Sequence, residues 1–380
     1  MTESIRTECL RDEAGFQALA ADWNRLAEAT APDSVFLRHE WFDAAWQWLK
    51  SDCRLWLICV YRGDTVAGIC PLVSRSGKTA AIRVSRLEFL TVPDTQECDI
   101  LSSASHRNEV ISAVAQKLHE MRSEWDVLEL SYLPAESDTL EKLPAALAQF
   151  GLSGISLPAG RNLYIALDGS WENFYAARSR SLKKASNLAA NRLKKSGKID
   201  LRQVGADSNA AAIDTALEAV VRISAQSWKR QTGLTLDHPG PAGFIRRLTK
   251  LAHERGWLAI WLLEVDGKAV SMEYQLAYAD RVHALRADFD DAWSELSPGS
   301  HLNREMLEQM FDGNGNRKRY YMGPGDNAYK LRWAEDSTPL YRVLAYSTTP
   351  RGRLVYLLDR KLRPAFGKLR SLISRQEQPA

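Results

Sequence analysis

The sequence has little of what would mark an oxidising compartment, a membrane span or a metal centre. Its five cysteines, Cys9, Cys53, Cys59, Cys70 and Cys98, are odd in number and all fall in the first hundred residues. They form no C-x-x-C pair and show no Cys/His zinc spacing, so they read as reduced structural thiols of a cytoplasmic protein. Long hydrophobic runs are also missing. The longest, such as 257–263, fall well short of the roughly 20 apolar residues that cross a bilayer, and they fit buried strands. The opening MTESIRTECLRDEAG places acids where a signal peptide needs an apolar stretch, so export by that route is not expected. Charge of one sign is scarce too: a formal net charge of +3 over 380 residues does not describe a surface built for nucleic acid. H-E-x-x-H, G-x-S-x-G, Walker A and G-x-G-x-x-G are all absent, which sets aside zincins, serine hydrolases, P-loop enzymes and dinucleotide folds. No metal site is expected from seven scattered histidines.

What remains is the composition of an ordinary folded chain, 45% hydrophobic and 26% charged, and long enough for two domains. Two segments repeat one device. LWLICVYRGDTVAGICPL (55–72) and LAIWLLEVDGKAVSMEYQL (258–276) each give an apolar strand, a glycine-containing turn and a second apolar strand. Each follows helical patterns, at 13–30 and 39–50 in one case and at 209–230 and 239–255 in the other. Each also precedes a further strand, at 81–90 and 281–288. We therefore expect an α/β (α+β) protein of two related domains in tandem. The glycine- and proline-containing FGLSGISLPAG (150–160) is the expected boundary, giving units 1–155 and 156–348 and a basic tail 349–380. Trp41, Ala45, Trp46 and Leu49 fall on one helical stripe and read as core.

The charge that is present is clustered. From Arg178 to Lys198 the chain carries Arg178, Arg180, Lys183, Lys184, Arg192, Lys194, Lys195 and Lys198 with no acid between. The run suits a solvated helix face, a cradle for an anionic acceptor such as a sugar nucleotide, or a membrane-docking face. It lacks the interleaved aromatics that stack nucleic-acid bases. The tail from Arg351 sets eight basic residues against two acids, with Leu354, Leu357, Leu358 and Leu362 at helical spacing. It reads as a solvated helix or as an amphipathic contact with an anionic membrane.

The clearest chemical signal is LSPGSHLNREML (296–307). Ser297 is a good N-cap, Pro298 suits the first helical position, and Gly299 leaves backbone amides uncovered, so this helix start can hold a phosphate. The order of elements resembles the GNAT acyltransferase fold. More narrowly the chain resembles the CelD/BcsL-like acetyltransferases of cellulose and exopolysaccharide synthesis, relatives of the Fem aminoacyltransferases. The motifs that carry this are FLRHEWFDAAW, SRSLKKASNLAANRLKKSGKIDL, SWKRQTG, VDGKAVSMEYQL, LSPGSHL and GPGDNAYKLRW, which together span most of residues 36–340. The resemblance implies two GNAT-like domains, each a mixed, mostly antiparallel sheet flanked by helices, the first degenerate. It also implies a cytoplasmic enzyme that moves acetyl from acetyl-CoA to a sugar or amino-sugar, to which the basic tail would add a peripheral contact with the inner face of the membrane. Ser297, Pro298, Gly299 and Ser300 then stand at the acetyl-CoA pyrophosphate, with His301 on the following turn. The chain departs from the fuller Q/R-x-x-G-x-G/A loop of standard GNAT enzymes.

Acyl transfer needs a base, oxyanion donors and an acid for the leaving thiolate. Glu273 and Asp288 are the candidate bases. Glu273 interrupts an apolar strand, which calls for either a function or a buried salt bridge, with Arg286 as the expected partner. Tyr329 is the candidate acid, Tyr321 the fallback, and both also suit the edge of a core. Arg286, Asp326, Lys330 and Arg332 are candidates for substrate contact, the last three standing equally well on a solvated helix face. Two alternatives stay open: a Fem-like transfer from aminoacyl-tRNA, and a non-catalytic scaffold of a polysaccharide synthase.

Overall fold

The two apolar hairpins form as their patterns predict and anchor the sheet. The computed structural model describes residues 4–79, 82–313 and 317–359. Within them the strands are β1 Ile5–Leu10, β2 Cys53–Arg62, β3 Thr65–Thr79, β4 Ile82–Phe89, β5 Leu101–Ser102, β6 Val127–Pro134, β7 Gly154–Ala166, β8 Ile199–Gly205, β9 Leu258–Val265, β10 Lys268–Tyr278, β11 Arg281–Phe289, β12 Arg319–Pro324 and β13 Asp336–Tyr346. The helices are α1 Glu13–Ala18, α2 Ala20–Thr30, α3 His39–Leu49, α4 Arg107–Glu120, α5 Thr139–Gln149, α6 Trp171–Ala176, α7 Arg180–Lys194, α8 Ala210–Gln226, α9 Pro239–Glu254, α10 Pro298–Gly313, α11 Ala328–Trp333 and α12 Pro350–Leu357. In the second hairpin Asp266 and Gly267 both adopt positive φ, 48° and 78°, the two-residue turn whose twist matches antiparallel strands.

All strands join one sheet in the order β1-β2-β3-β4-β6-β13-β7-β12-β11-β10-β9-β8, with β5 beside β3. The order reads alike from either end. Going inward, β1 to β4 are antiparallel and β6 joins β4 in parallel; from the other edge β8 to β11 are antiparallel and β12 joins β11 in parallel. The helices repeat too, with α2, α3 and α4 placed along the chain as α8, α9 and α10 are. The two halves exchange a strand at the centre. β7 follows the first half but pairs with β12, while β13 follows the second half but pairs with β6.

Three expectations change. The boundary between 155 and 156 falls inside β7, because FGLSGISLPAG is largely strand rather than linker. Its proline is accommodated at an irregularity: Pro158 faces Tyr341 where the register with β13 shifts, and Gly160 takes φ 131°. The helical stretch 13–30 breaks at Leu19. The helical stretch 171–197 breaks at 177–179, where Ser179 accepts a hydrogen bond from the Leu182 amide and starts a new helix.

The larger core spans both halves. α3 is buried on almost every face, packed along its length against α9 and flanked by α2 and the turn at Val35–Leu37. Trp41 meets Phe244 edge-on at 5.4 Å, and Arg247 lies 2.6 Å from the buried Asp43 carboxylate. Trp41, Ala45, Trp46 and Leu49 are core as expected. A second core, built on Trp171, Phe174, Met306, Phe311, Tyr320 and Trp333, fills the α10 side of the second half. No disulfide joins the cysteines, and only Cys9 among them is not fully buried. Among the described residues no helix is long and apolar enough to cross a membrane. The tail beyond Asp359, with Leu362, lies outside the described residues; Leu354 and Leu357 are exposed on α12.

Candidate active site

Two parallel strands that part company make the site. β11 and β12 pair only at Arg281/Arg319, Val282/Tyr320 and His283/Tyr321. Beyond that point β12 follows β7 as far as Pro324, opposite Asn162, while β11 continues to Phe289. The gap opens into a cleft of about 620 Å³. α7, α10, α11 and the residues after Ser227 wall it, and the loop after β4 reaches in from the other half.

Both candidate bases border this cleft, from opposite faces of the sheet. Glu273 stands opposite Ala287 in the β10/β11 register, and Asp288 stands opposite Met272. On the Glu273 side, Gln275 donates to Glu273 Oε1 at 2.7 Å and touches Met306 of α10. Tyr320 donates to the same carboxylate oxygen at 2.5 Å. Burial raises the Glu273 pKa, against the lowering pull of the Tyr320 and Gln275 hydrogen bonds and the Lys330 charge. On the other side, Lys229 Nζ lies 2.6 Å from Asp288 Oδ1 and donates to the Ala287 carbonyl at 2.9 Å. Neither Asp288 oxygen accepts an aligned hydrogen bond among the described residues.

The expected partner of Glu273 is corrected. Arg286 shares the Asp288 face of β11, not the Glu273 face, and it donates instead to Asp94 at 2.7 Å and to the Leu234 carbonyl at 3.0 Å. Asp94 and Gln96 come from the loop after β4. Gln96 donates to the Ala284 carbonyl at 2.8 Å, where β11 leaves β12, and accepts from Asn162 at 3.0 Å. The first half thus supplies a wall of the second half's cleft.

Other expectations divide. Tyr329 lines the cleft and is 47% exposed over the residue as a whole. The surroundings of its hydroxyl are nonetheless apolar enough to raise the phenol pKa, with the Glu273 and Asp288 charges adding to the effect. Lys330 is buried in the wall, where its ammonium donates to the Gly323 carbonyl at 2.9 Å and the Pro324 carbonyl at 3.0 Å. Burial, with the Lys229 charge, brings its pKa down to about 8. Arg332 lies exposed at the rim. Asp326 does not reach the cleft: it is exposed and paired with Arg161 at 2.8 Å. Tyr321 points elsewhere as well, its ring stacked on His283 at 5.0 Å.

The helix start is narrower than the sequence suggests. Ser297 adopts a left-handed backbone, φ 55° and ψ 51°, in place of the extended N-cap form. Its carbonyl accepts from the Ser300 and His301 amides at 3.1 and 3.3 Å, and Pro298 has no N–H. Gly299 therefore offers the one amide of this turn without a backbone partner among the described residues. Gly299 and Ser300 line the cleft. His301 turns toward Glu305, 3.7 Å away. In the first half the corresponding helix start, at α4, is filled by its own Arg107, whose buried guanidinium binds Asp99 at 2.8 Å and Thr139 at 2.7 Å.

Sequence reasoning missed Tyr320, Gln275, Lys229, Ser186 and Asn303. Gln275 stands two residues from Glu273, on the same strand, and Lys229 lies in a motif already noted. Ser186 Oγ and Asn303 Oδ1 are buried, border the cleft and have no hydrogen-bond partner among the described residues. Unpaired polar atoms at the wall of an open cleft suit a ligand carrying amide groups. No cluster of metal-ligating side chains occurs among the described residues.

Residues 180–331 match the family described as acetyltransferase (GNAT) domain. Among solved structures, FemX aligns with a TM-score of 0.54 at 11% identity, over 93% of this chain and 99% of that one. The C-terminal domain of a putative lysylphosphatidylglycerol synthetase from Agrobacterium fabrum aligns with a TM-score of 0.51 at 11% identity, over 91% and 96%. L-PGS from Bacillus licheniformis aligns with a TM-score of 0.50 at 12% identity, over 92% and 96%. No curated protein matches the chain. The chain has a GNAT-like fold, and the part of it that matches the GNAT domain family lies in the second half. The narrower CelD/BcsL-like likeness rests on the sequence motifs alone.

Proposed function

We propose that the protein transfers an acyl group, acetyl in the first instance, from acyl-CoA in the β11/β12 cleft to an amine or hydroxyl of a sugar acceptor of envelope polysaccharide. The observation that carries this is the parting of β11 and β12 over two buried carboxylates that reach the gap from opposite faces. Acyl-CoA supplies the activated thioester. Its pantetheine amides suit Ser186 and Asn303, and its pyrophosphate suits the Gly299 amide and Arg332 at the rim. Glu273, oriented by Tyr320 and Gln275, takes the proton of the attacking acceptor. Tyr329, whose raised pKa keeps it protonated, hydrogen-bonds the departing thiolate. Lys330 holds the Gly323–Pro324 carbonyls and so fixes α11 and Tyr329 against the cleft. Arg107 at the α4 start supports a first half that contributes a wall and no second donor site.

Calorimetry with acetyl-CoA tests the donor. A Cβ on Gly299 would stand 3.2 Å from Phe289 and 3.9 Å from Ser271 Oγ, so the large side chain of Gly299→Trp has to enter the cleft. Wild type is expected to bind and the variant to lose at least about tenfold in affinity, or about 1.4 kcal/mol. No binding by wild type sinks the assignment. One observation favours a second reading, transfer from aminoacyl-tRNA: a helix start with a single free amide is a thin pyrophosphate site. That reading requires a tRNA gel shift that weakens steeply with salt.

A further inference from the structure

Most of the large apolar side chains exposed on the described surface gather at one place. Trp228, 60% exposed, and Tyr329 line the cleft itself. Leu331 shares α11 with Tyr329, and Leu188 stands two residues beyond the cleft-lining Ser186 on α7. The Leu234 carbonyl is held by the cleft residue Arg286. The three elements that present most of them, α7, the 3₁₀ turn Trp228–Thr232 and α11, contain no aspartate or glutamate. Their exposed cations are Arg180, Lys184, Arg192, Lys194, Arg230 and Arg332. Among the described residues this apolar ring with a single sign of charge has no partner, and a patch of that kind marks an interaction site.

We infer that the mouth of the cleft docks on an anionic lipid bilayer, so that the acceptor is presented from the membrane surface. The leucines and Trp228 enter the headgroup and upper acyl region while the cations meet lipid phosphates. Aliphatic side chains decide between the two polyanions that a basic rim fits: Leu188, Leu234 and Leu331 gain from an apolar phase and do not stack on bases. The inference rests on the acyltransferase reading only in taking this cleft as the reaction site.

Vesicle flotation of the full chain tests it, with the unaltered tail retained in every variant. Wild type is expected to float with vesicles containing phosphatidylglycerol, to ignore pure phosphatidylcholine, and to be released by salt. The triple variant Leu188→Ser, Leu234→Ser, Leu331→Ser and the charge reversal Arg180→Glu with Lys184→Glu are each expected to weaken partition at least about tenfold. Both should retain acetyl-CoA binding by calorimetry, since neither alters a group assigned to the donor. Rim variants that float as wild type does would overturn the inference, as would a wild type that ignores anionic vesicles but shifts tRNA through this rim. Vesicle binding that persists without acetyl-CoA binding would fail the donor assignment alone and leave the docking face standing.

Discussion

Replacing Glu273 by glutamine should move rate and stability in opposite directions. The carboxyl is 3% exposed, and Tyr320 and Gln275 both donate to one of its oxygens. Glutamine keeps the size and a carbonyl for those donors but cannot take a proton. A positioned general base contributes about 10²- to 10⁴-fold, so kcat should fall by that factor, about 3–5 kcal/mol of barrier. Stability follows from the direction of the pKa shift. Burial raises the native pKa, so the folded chain holds this proton more tightly than the unfolded one. The carboxyl's contribution to stability is thus fully present below the unfolded pKa and lost as pH rises through the native one. At neutral pH the variant should melt no lower than wild type, and that advantage should shrink as pH falls below the carboxylate range. Thiol release measured against pH, with melting at neutral and acid pH, reads both. Wild-type kcat/KM should show an acid limb above the ordinary glutamate value, absent in the variant. A variant within about threefold of the wild-type rate, or one slowed only because it unfolds earlier, would refute the reasoning.

Other predictions concern the walls. Lys330→Met removes the donor to the Gly323 and Pro324 carbonyls and should cost about 1–3 kcal/mol in chemical denaturation, with loosened α11 and weaker donor binding. Because the native Lys330 pKa falls from 10.5 to about 8, wild-type stability should rise with pH across that window, and the variant should lose the slope. Asp326→Ala breaks an exposed pair with Arg161 outside the cleft, so it should change stability by less than about 1 kcal/mol and leave kcat/KM unaltered.

What was legible in the sequence was local. The hairpins at 55–72 and 258–276 and the helix starting at Pro298 announce themselves through neighbouring residues. Glu273 stood out because a carboxylate inside an apolar strand needs a reason. Its partner was misassigned because Glu273 pairs across with Ala287, so the alternation of faces sends Arg286, opposite Tyr274, to the other side of the sheet. Asp94 and Gln96 carry no local signal at all: they matter only because a loop from the first half crosses to the second. FGLSGISLPAG looked like a linker because its glycines and proline are turn formers, and only the distant β13 makes a strand of it.

The exchange of β7 and β13 also sets an order of events at the ribosome. β6 ends at Pro134, yet its outer neighbour β13 does not end until Tyr346. At typical rates of synthesis, ~5–20 residues per second, the first half waits roughly 10–40 s with one edge of its sheet unpaired. An open edge is a template for pairing with another chain. The protein's yield in a cell therefore depends on what shelters β6 during that interval, and slowing translation downstream of residue 134 should raise aggregation without altering a single contact of the finished fold.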